Sequence, residues 1–239
     1  VCGTVNDLAV SGARPRYISV GMIIEAGFDM ETLVRIVGSI AETAKEAGVH
    51  VVTGDTKVVE GGGVDGIFIN TAGIGVFSED RPPLAQRIAA GDRIIISGYM
   101  ASHGMAIMAA RENMGFDPPI ESDVAPLAAL ADRVLRSGCE VNAMRDPTRG
   151  GVAATLCEWV TEDTDVIIYN DSLPVRPDVS AACEILGMDP LYIANEGIML
   201  LSVPGRYADT VLSALRSADD GKNAAIIGEV RKGSGSVYA

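Results

Sequence analysis

The sequence predicts two helix-and-sheet units in one chain, an α+β unit followed by an α/β unit, and three observations lead there. The first 77 residues carry periodicities in the order β-α-β-β, which suits a mixed sheet with helices on one face. Between Ser78 and Gly91 the run Glu79-Asp80-Arg81-Pro82-Pro83 breaks both periodicities, so a boundary falls there, giving units 1–80 and 90–239. Beyond it, strand and helix patterns alternate regularly to the end of the chain, which favours a second α/β layer. No internal repeat and no low-complexity tract interrupts this order.

Taken in order, Val5 to Ser11 reads as a short helix ended by Gly12, and Tyr17 to Ile24 as a strand. Asp29 is placed to cap a helix that runs to Ala47, because Leu33, Val37, Ile40 and Ala44 recur at helical spacing; Gly48 stops it. Val49 to Thr53 is a β-branched run, and Ile67 to Phe77 a longer strand after the loop Glu60-Gly61-Gly62-Gly63. In the second unit the expected strands are Ile94–Ser97, Val166–Tyr169, 198–203 and 224–230. The expected helices are 103–113, 124–136, one opening near Gly150-Gly151, 177–186 and 206–217.

Composition excludes several classes. With 48% hydrophobic and 21% charged residues over 239 positions, the chain is an ordinary packed globular protein rather than a disordered or fibrous one. No apolar run approaches the roughly 18 residues a membrane span needs. The 19 Lys+Arg against 32 Asp+Glu leave a formal charge of −13, which argues against a general nucleic-acid binder. An anionic ligand must then be received by a local site or a bound cation. Cys2, Cys139, Cys157 and Cys183 lie far apart with no CxxC, which reads as reduced thiols of a cytosolic protein rather than a disulfide framework or zinc site. Only His50 and His103 exist, so a His-rich metal centre is excluded. There is no signal peptide, and the start at Val1, without Met and inside a structured segment, reads as a piece of a longer protein.

Four segments carry candidate chemistry. Thr53-Gly54-Asp55-Thr56-Lys57 follows a strand; Asp55 could hold Mg²⁺ and Lys57 neutralise phosphate, or the pentapeptide is a surface turn. Asn6-Asp7 sits in an apolar helix, where an inward-facing Asp needs a partner such as a metal, and a solvated or capping Asp does not. Asp146-Pro147-Thr148-Arg149-Gly150-Gly151 offers an acid, a hydroxyl, a guanidinium and two glycines at a helix N-terminus, where backbone N–H groups and the helix dipole favour an anion. It is not a Walker A loop, since GxxxxGK[ST] is missing. Ala194-Asn195-Glu196-Gly197 puts a carboxylate just before an apolar strand, as a general base, a cation ligand or a solvated loop end. His103 reads as a helix cap or a catalytic group; Trp159, Met105, Met108 and the cysteines read as core.

The segments CGTVNDLAVSGARP (2–15), GDTKVVE (54–60), INTAGIG (69–75), RDPTRGG (145–151), LPV (173–175) and ANEG (194–197) together resemble the HypE family of hydrogenase maturation proteins, in the family's order and over nearly the whole chain. That family belongs to an ATP-binding superfamily with aminoimidazole ribonucleotide synthetase, selenophosphate synthetase and thiamine-monophosphate kinase. The ND…SGA.P pattern is shared across the superfamily, whereas GDTKVV with DPTRGG and ANEG is specific to HypE.

The resemblance implies a two-domain PurM-like fold, an incomplete N-terminal domain over 1–80 and a C-terminal domain over 90–239, dimerising through the sheets of the N-terminal domains. It implies a cytoplasmic enzyme that uses ATP and Mg²⁺ to dehydrate a carboxamide on its C-terminal cysteine to a thiocyanate, the source of the cyanide ligand of the iron in [NiFe]-hydrogenase. The implied partners are the carbamoyltransferase HypF and the HypC–HypD complex, with neither nucleic acid nor membrane. By motif, Asp7 and Asp55 bind Mg²⁺, Lys57 the phosphates, and Asp146, Thr148, Arg149, Gly150 and Gly151 the nucleotide; Glu196 and Lys57 are catalytic. The family's N-terminal segment and its Cys-ending tail have no counterpart between Val1 and Ala239, so the chain as given cannot carry the substrate. The alternatives are another synthetase of the superfamily, of selenophosphate or aminoimidazole type, or a non-catalytic nucleotide-binding scaffold for maturation partners.

Overall fold

The computed structural model describes residues 1–77 and 82–239; part of the expected boundary, residues 78–81, lies outside the described residues. Helix α1 (Cys2–Val10) leads through Gly12, at φ +87°, into the long strand β1 (Ala13–Glu25). Helix α2 (Met30–Glu46) starts where expected: the Asp29 carboxylate accepts from the Thr32 N–H at 2.7 Å, and Gly48 at φ +67° follows its end. Strands β2 (His50–Val59) and β3 (Ile67–Phe77) flank β1, parallel and antiparallel respectively, giving the order β2-β1-β3. The mixed sheet with helices on one face is thus observed.

One expectation fails in this unit. The strand does not stop at Thr53, so Thr53–Lys57 is no turn: β2 continues through it to Val59, in parallel register with Ser19 to Glu25. Gly54 and Asp55 are poor strand formers, and the ladder with β1 overrides that local preference.

Helix α1 identifies the covered face. Thr4 Oγ1 lies 2.5 Å from Thr71 Oγ1, a Cβ at Gly73 would meet Leu8 and Thr4, and Val5 packs on Ile18 with Ala44 and Val49. Side chains alternate across a strand, so Tyr17, Ile23, Phe68 and Ile74 face the other way. They stay 41–65% exposed, and Asp55 and Lys57 share that face through their pairing with Gly21 and Ile23.

The second sheet is built from β4 (Asp92–Ile96), β5 (Ala143–Arg145), β6 (Thr164–Ile168), β7 (Leu200–Pro204), β8 (Ala225–Lys232) and β9 (Val237–Tyr238), in the order β5-β7-β4-β8-β6-β9. All pairs are antiparallel except β6 with β9, so the alternating helices cover the sheet without making parallel crossovers. The helices are α3 (Ser102–Arg111), α4 (Ala128–Leu135), α5 (Gly151–Trp159), α6 (Pro177–Leu186) and α7 (Ala208–Arg216). Ile95 and Leu201 enter a core with α4 and α7, while Ile94, Ile96 and Leu200 enter another with Leu156 and Trp159 of α5. Burial on both faces explains why adjacent positions are apolar in β4 (Ile94 to Ile96) and in β7 (Leu200, Leu201).

The expected helix 124–136 begins only at Ala128. Pro126 disfavours helical backbone at Ala125, and the buried Asn6 side chain takes the local backbone instead: Leu127 N–H donates to Asn6 Oδ1 at 2.8 Å and Asn6 Nδ2 donates to the Ala125 carbonyl at 3.0 Å. Strands β5 and β9, of three and two residues, are too short for periodicity to reveal.

Candidate functional site

A cavity of about 530 Å³ opens between α1 and the second sheet. Three segments distant in sequence furnish it: Asp7 from α1, Asp146, Thr148 and Arg149 from the loop between β5 and α5, and Glu196 from the irregular stretch before β7. Within the Asn-Asp pair the inward residue is Asn6, 1% exposed, and Asp7 is the solvent-accessible one. Of the two readings of Asp7, the inward one fails and the solvent-accessible one holds: the helix turns the neutral amide inward and the acid toward the cavity.

Asp146 is buried at the end of β5, and its pKa is pushed up to about 6. Burial is the main cause, followed by the negative charge of Asp7; Arg145 pulls the other way and Glu196 adds a further push. A carboxyl that is costly to ionise for want of positive charge is where a divalent cation binds favourably. Among the described residues no three His, Cys, Asp or Glu side chains are grouped to hold a metal unaided. Asp7 and Asp146 bring two carboxylates to the one cavity, and Mg²⁺ commonly takes one or two carboxylates and completes its shell with phosphate oxygens and water.

The glycines of the 146–151 loop serve two purposes. Gly150 caps α5 at φ +71° on the surface. Gly151, at φ +65°, is buried, and a Cβ there would come within 2.6 Å of the Leu191 carbonyl oxygen and 2.7 Å of the Ile193 one. Gly151 therefore lets the start of α5 pack on residues 191–193; neither glycine lines the cavity. Asn195, fully buried, ties this loop to the Glu196 stretch: its N–H and its Nδ2 both donate to the Pro147 carbonyl, at 3.2 and 3.0 Å. Its Oδ1 accepts from Ala101 N–H at 2.7 Å, where Ala101 is held at φ +71° before α3.

Glu196 also borders a smaller hollow of about 230 Å³ beside Cys2, Ile40, Thr43 and Val124. It stands where the two spaces meet, and so is apart from the 146–151 loop in sequence but not in space. Asp55 and Lys57 do not line the cavity. Strand alternation sends them to the face of the first sheet turned away from α1, so within one chain they do not join Asp7, and the single site expected from all these residues is not assembled. His103 does not line it either: its Nδ1 lies 2.8 Å from Ser122 Oγ. Trp159, Met105 and Cys183 are core residues, and all four cysteines are free.

Sequence reasoning missed the Arg145–Glu158 ion pair at the cavity wall, 3.3 Å apart and more than half exposed on both sides. It also missed Asp123 behind Glu196. The only local signal was the irregular, Pro-containing run from Pro118 to Pro126.

Known proteins share this fold. Residues 1–77 match the family described as AIR synthase related protein, N-terminal domain, and residues 89–239 the C-terminal domain of the same family. The carbamoyl dehydratase HypE of Escherichia coli K12 is 48% identical over 236 residues, covering 98% of this chain and 70% of that protein. A crystal structure of a HypE–HypF complex superposes with a TM-score of 0.94 at 48% identity, covering 98% of this chain and 77% of that one. A crystal structure of the hydrogenase maturation protein HypE in complex with ATP gives 0.92 at 44% identity, covering 97% and 69%. No helix among the described residues is long and apolar enough to cross a membrane. With both domains matched in order and nearly half the residues shared along almost its full length, the chain belongs to the HypE family of hydrogenase maturation proteins, built on the two-domain AIR synthase-related fold.

Proposed function

We propose that this chain carries out ATP-dependent dehydration of a cysteine-bound carboxamide to a thiocyanate, the carbamoyl dehydratase reaction by which a cyanide ligand is prepared for a [NiFe]-hydrogenase. The observation that supports it most is the convergence of Asp7, Asp146, Thr148, Arg149 and Glu196 on one cavity in a chain 48% identical to a carbamoyl dehydratase.

An amide oxygen leaves poorly, so it is first converted to a phosphate ester. The carboxamide oxygen attacks the γ-phosphorus of ATP, ADP departs, and an N–H proton is lost to give an O-phosphorylated imidate. Removal of the second N–H proton then forms the C≡N bond as phosphate leaves. Phosphoryl transfer asks mainly for positioning and charge neutralisation. Arg149 and Thr148 hold phosphate oxygens beside the N-terminus of α5. Asp7 and Asp146 would hold Mg²⁺, which would supply charge neutralisation on the nucleotide phosphates. Glu196, between the cavity and the smaller hollow, is the base for the N–H protons.

Asp55 and Lys57 reach the nucleotide from a second copy of the chain. Four large apolar side chains on the open face of the first sheet, Tyr17, Ile23, Phe68 and Ile74, form a patch that suits burial between copies. A homodimer joined there brings the Asp55 and Lys57 of one copy toward the cavity of the other. HypF, seen bound to a relative, loads the carrier cysteine, and the HypC–HypD complex accepts the cyanide in the cytoplasm.

The test follows the mass of the carbamoylated C-terminal cysteine of the full-length protein in a single ATP turnover. Loss of one water is expected. Glu196→Gln, which keeps shape and removes the base, should slow that loss about 100- to 10,000-fold with ATP affinity unchanged. Wild-type conversion in Glu196→Gln would remove Glu196 from the chemistry, and ATP binding without any water loss in the wild type would make the protein a scaffold.

A further inference from the structure

Glu196 belongs to no helix or strand, yet both of its backbone polar groups are held by side chains from elsewhere. Its N–H donates to Asp123 Oδ2 at 2.9 Å, and its carbonyl accepts from Asn6 Nδ2 at 3.0 Å. The same Asp123 Oδ2 accepts from Gly197 N–H at 2.8 Å, while Oδ1 accepts from His103 N–H at 2.6 Å in the first turn of α3. One carboxyl group thus gathers three backbone donors and joins the start of α3 to the peptide that carries Glu196. The two backbones lie flush: a Cβ on Gly197 would stand 1.7 Å from the Asp123 carbonyl oxygen. Ser122 lies beside the clamp and outside it, its Oγ 2.8 Å from His103 Nδ1 and accepting from Val124 N–H at 3.1 Å.

We infer that Asp123 is a positioning residue for Glu196: it fixes the peptide of residue 196 so that the Glu196 carboxylate stays aimed into the cavity. This rests on the reading of Glu196 as the base. A carboxylate suits the task because both its oxygens only accept, whereas an Asn would turn an NH₂ toward at least one of the three donors. The peptide has no ladder or helix bonds of its own to hold it, and a base displaced by about 1 Å can lose on the order of 100-fold in rate.

The experiment is a double-mutant cycle on the full-length carbamoylated protein, with single-turnover water loss and ATP affinity measured in parallel. Asp123→Asn should slow water loss about 10- to 100-fold with ATP affinity unchanged, and should cost nothing further in the Glu196→Gln background. Asp123→Glu, which keeps the charge but moves it by one methylene, should give the same pattern if the Asn protein fails to fold. Ser122→Ala, which leaves the three donors on Asp123, should keep near-normal rates. Wild-type rates in Asp123→Asn, or an equal loss with and without Glu196, would overturn the clamp. A fully active Glu196→Gln would instead refute the role of Glu196 itself.

Discussion

The two sheets of this chain answer opposite needs. The six-stranded sheet fills both of its faces from within: Ile95 and Leu201 feed one core, Ile94, Ile96 and Leu200 the other. The three-stranded sheet covers one face with α1 and leaves the other bare, with Phe68 and Ile74 55% and 65% exposed. The small buried cluster beneath it is formed by Val5, Ile18, Ala44 and Val49. A sheet that buries one face and offers apolar side chains on the other suits the association proposed above, whereas the second sheet is finished by folding. The cavity lies where α1 meets the self-sufficient unit, and Asp55 and Lys57, which the proposal brings in from a second copy, sit on the open one.

Substitutions separate the two regions by size of effect. Leu201→Ala empties a fully buried position and should destabilise by about 2–5 kcal/mol in urea unfolding. Ile74→Ala on the open face should leave the stability of a monomer within about 0.5 kcal/mol. A similar loss from both would break the contrast.

Asp146 sharpens the comparison through pH. Its folded pKa of about 6 lies above the ordinary Asp value near 3.9. Between those values the unfolded chain is ionised while the folded one holds the proton, so stability falls as pH rises from about 4 to 6 and levels off above. Two units correspond to about 3 kcal/mol at most, so metal-free Asp146→Asn should be about 1–3 kcal/mol more stable than the parent at pH 7 and equal to it below pH 4. Burial raises the value most; Asp7 and Glu196 raise it further, and Arg145 lowers it. A variant no more stable at pH 7 would show that Asp146 is not strained by ionisation. A small effect is also expected of Glu158→Ala, which removes an exposed ion pair with Arg145 and should change stability by about 0–1 kcal/mol.

Legibility in the sequence followed the same division. Caps and stops were readable because they are local: Asp29 opens α2, Gly48 closes it, and Pro177 starts α6. The Asp146–Gly151 loop stood out as polar groups at a helix N-terminus and Glu196 as a carboxylate before an apolar strand, and the fold brings Asp146, Thr148, Arg149 and Glu196 to one cavity. What escaped depends on contacts remote in sequence. β2 runs through Gly54 and Asp55 because β1 supplies the ladder, and residues 124–127 stay outside α4 because Asn6, about 120 positions earlier, occupies their backbone. Asp123 escaped for the same reason, since its partners lie at residues 103, 196 and 197.

The most direct test of the central claim, that the open sheet completes the cavity of a second copy, is complementation. Asp7→Ala and Asp55→Ala proteins, each full length and each expected to bind no Mg²⁺–ATP, are mixed, dissociated and allowed to reassemble. If Asp55 acts across the dimer, half the dimers are mixed and each holds one intact composite site, so calorimetry should recover about one quarter of the wild-type nucleotide sites. If Asp55 acts within its own chain, no intact site forms, and a mixture that binds no nucleotide would contradict the account.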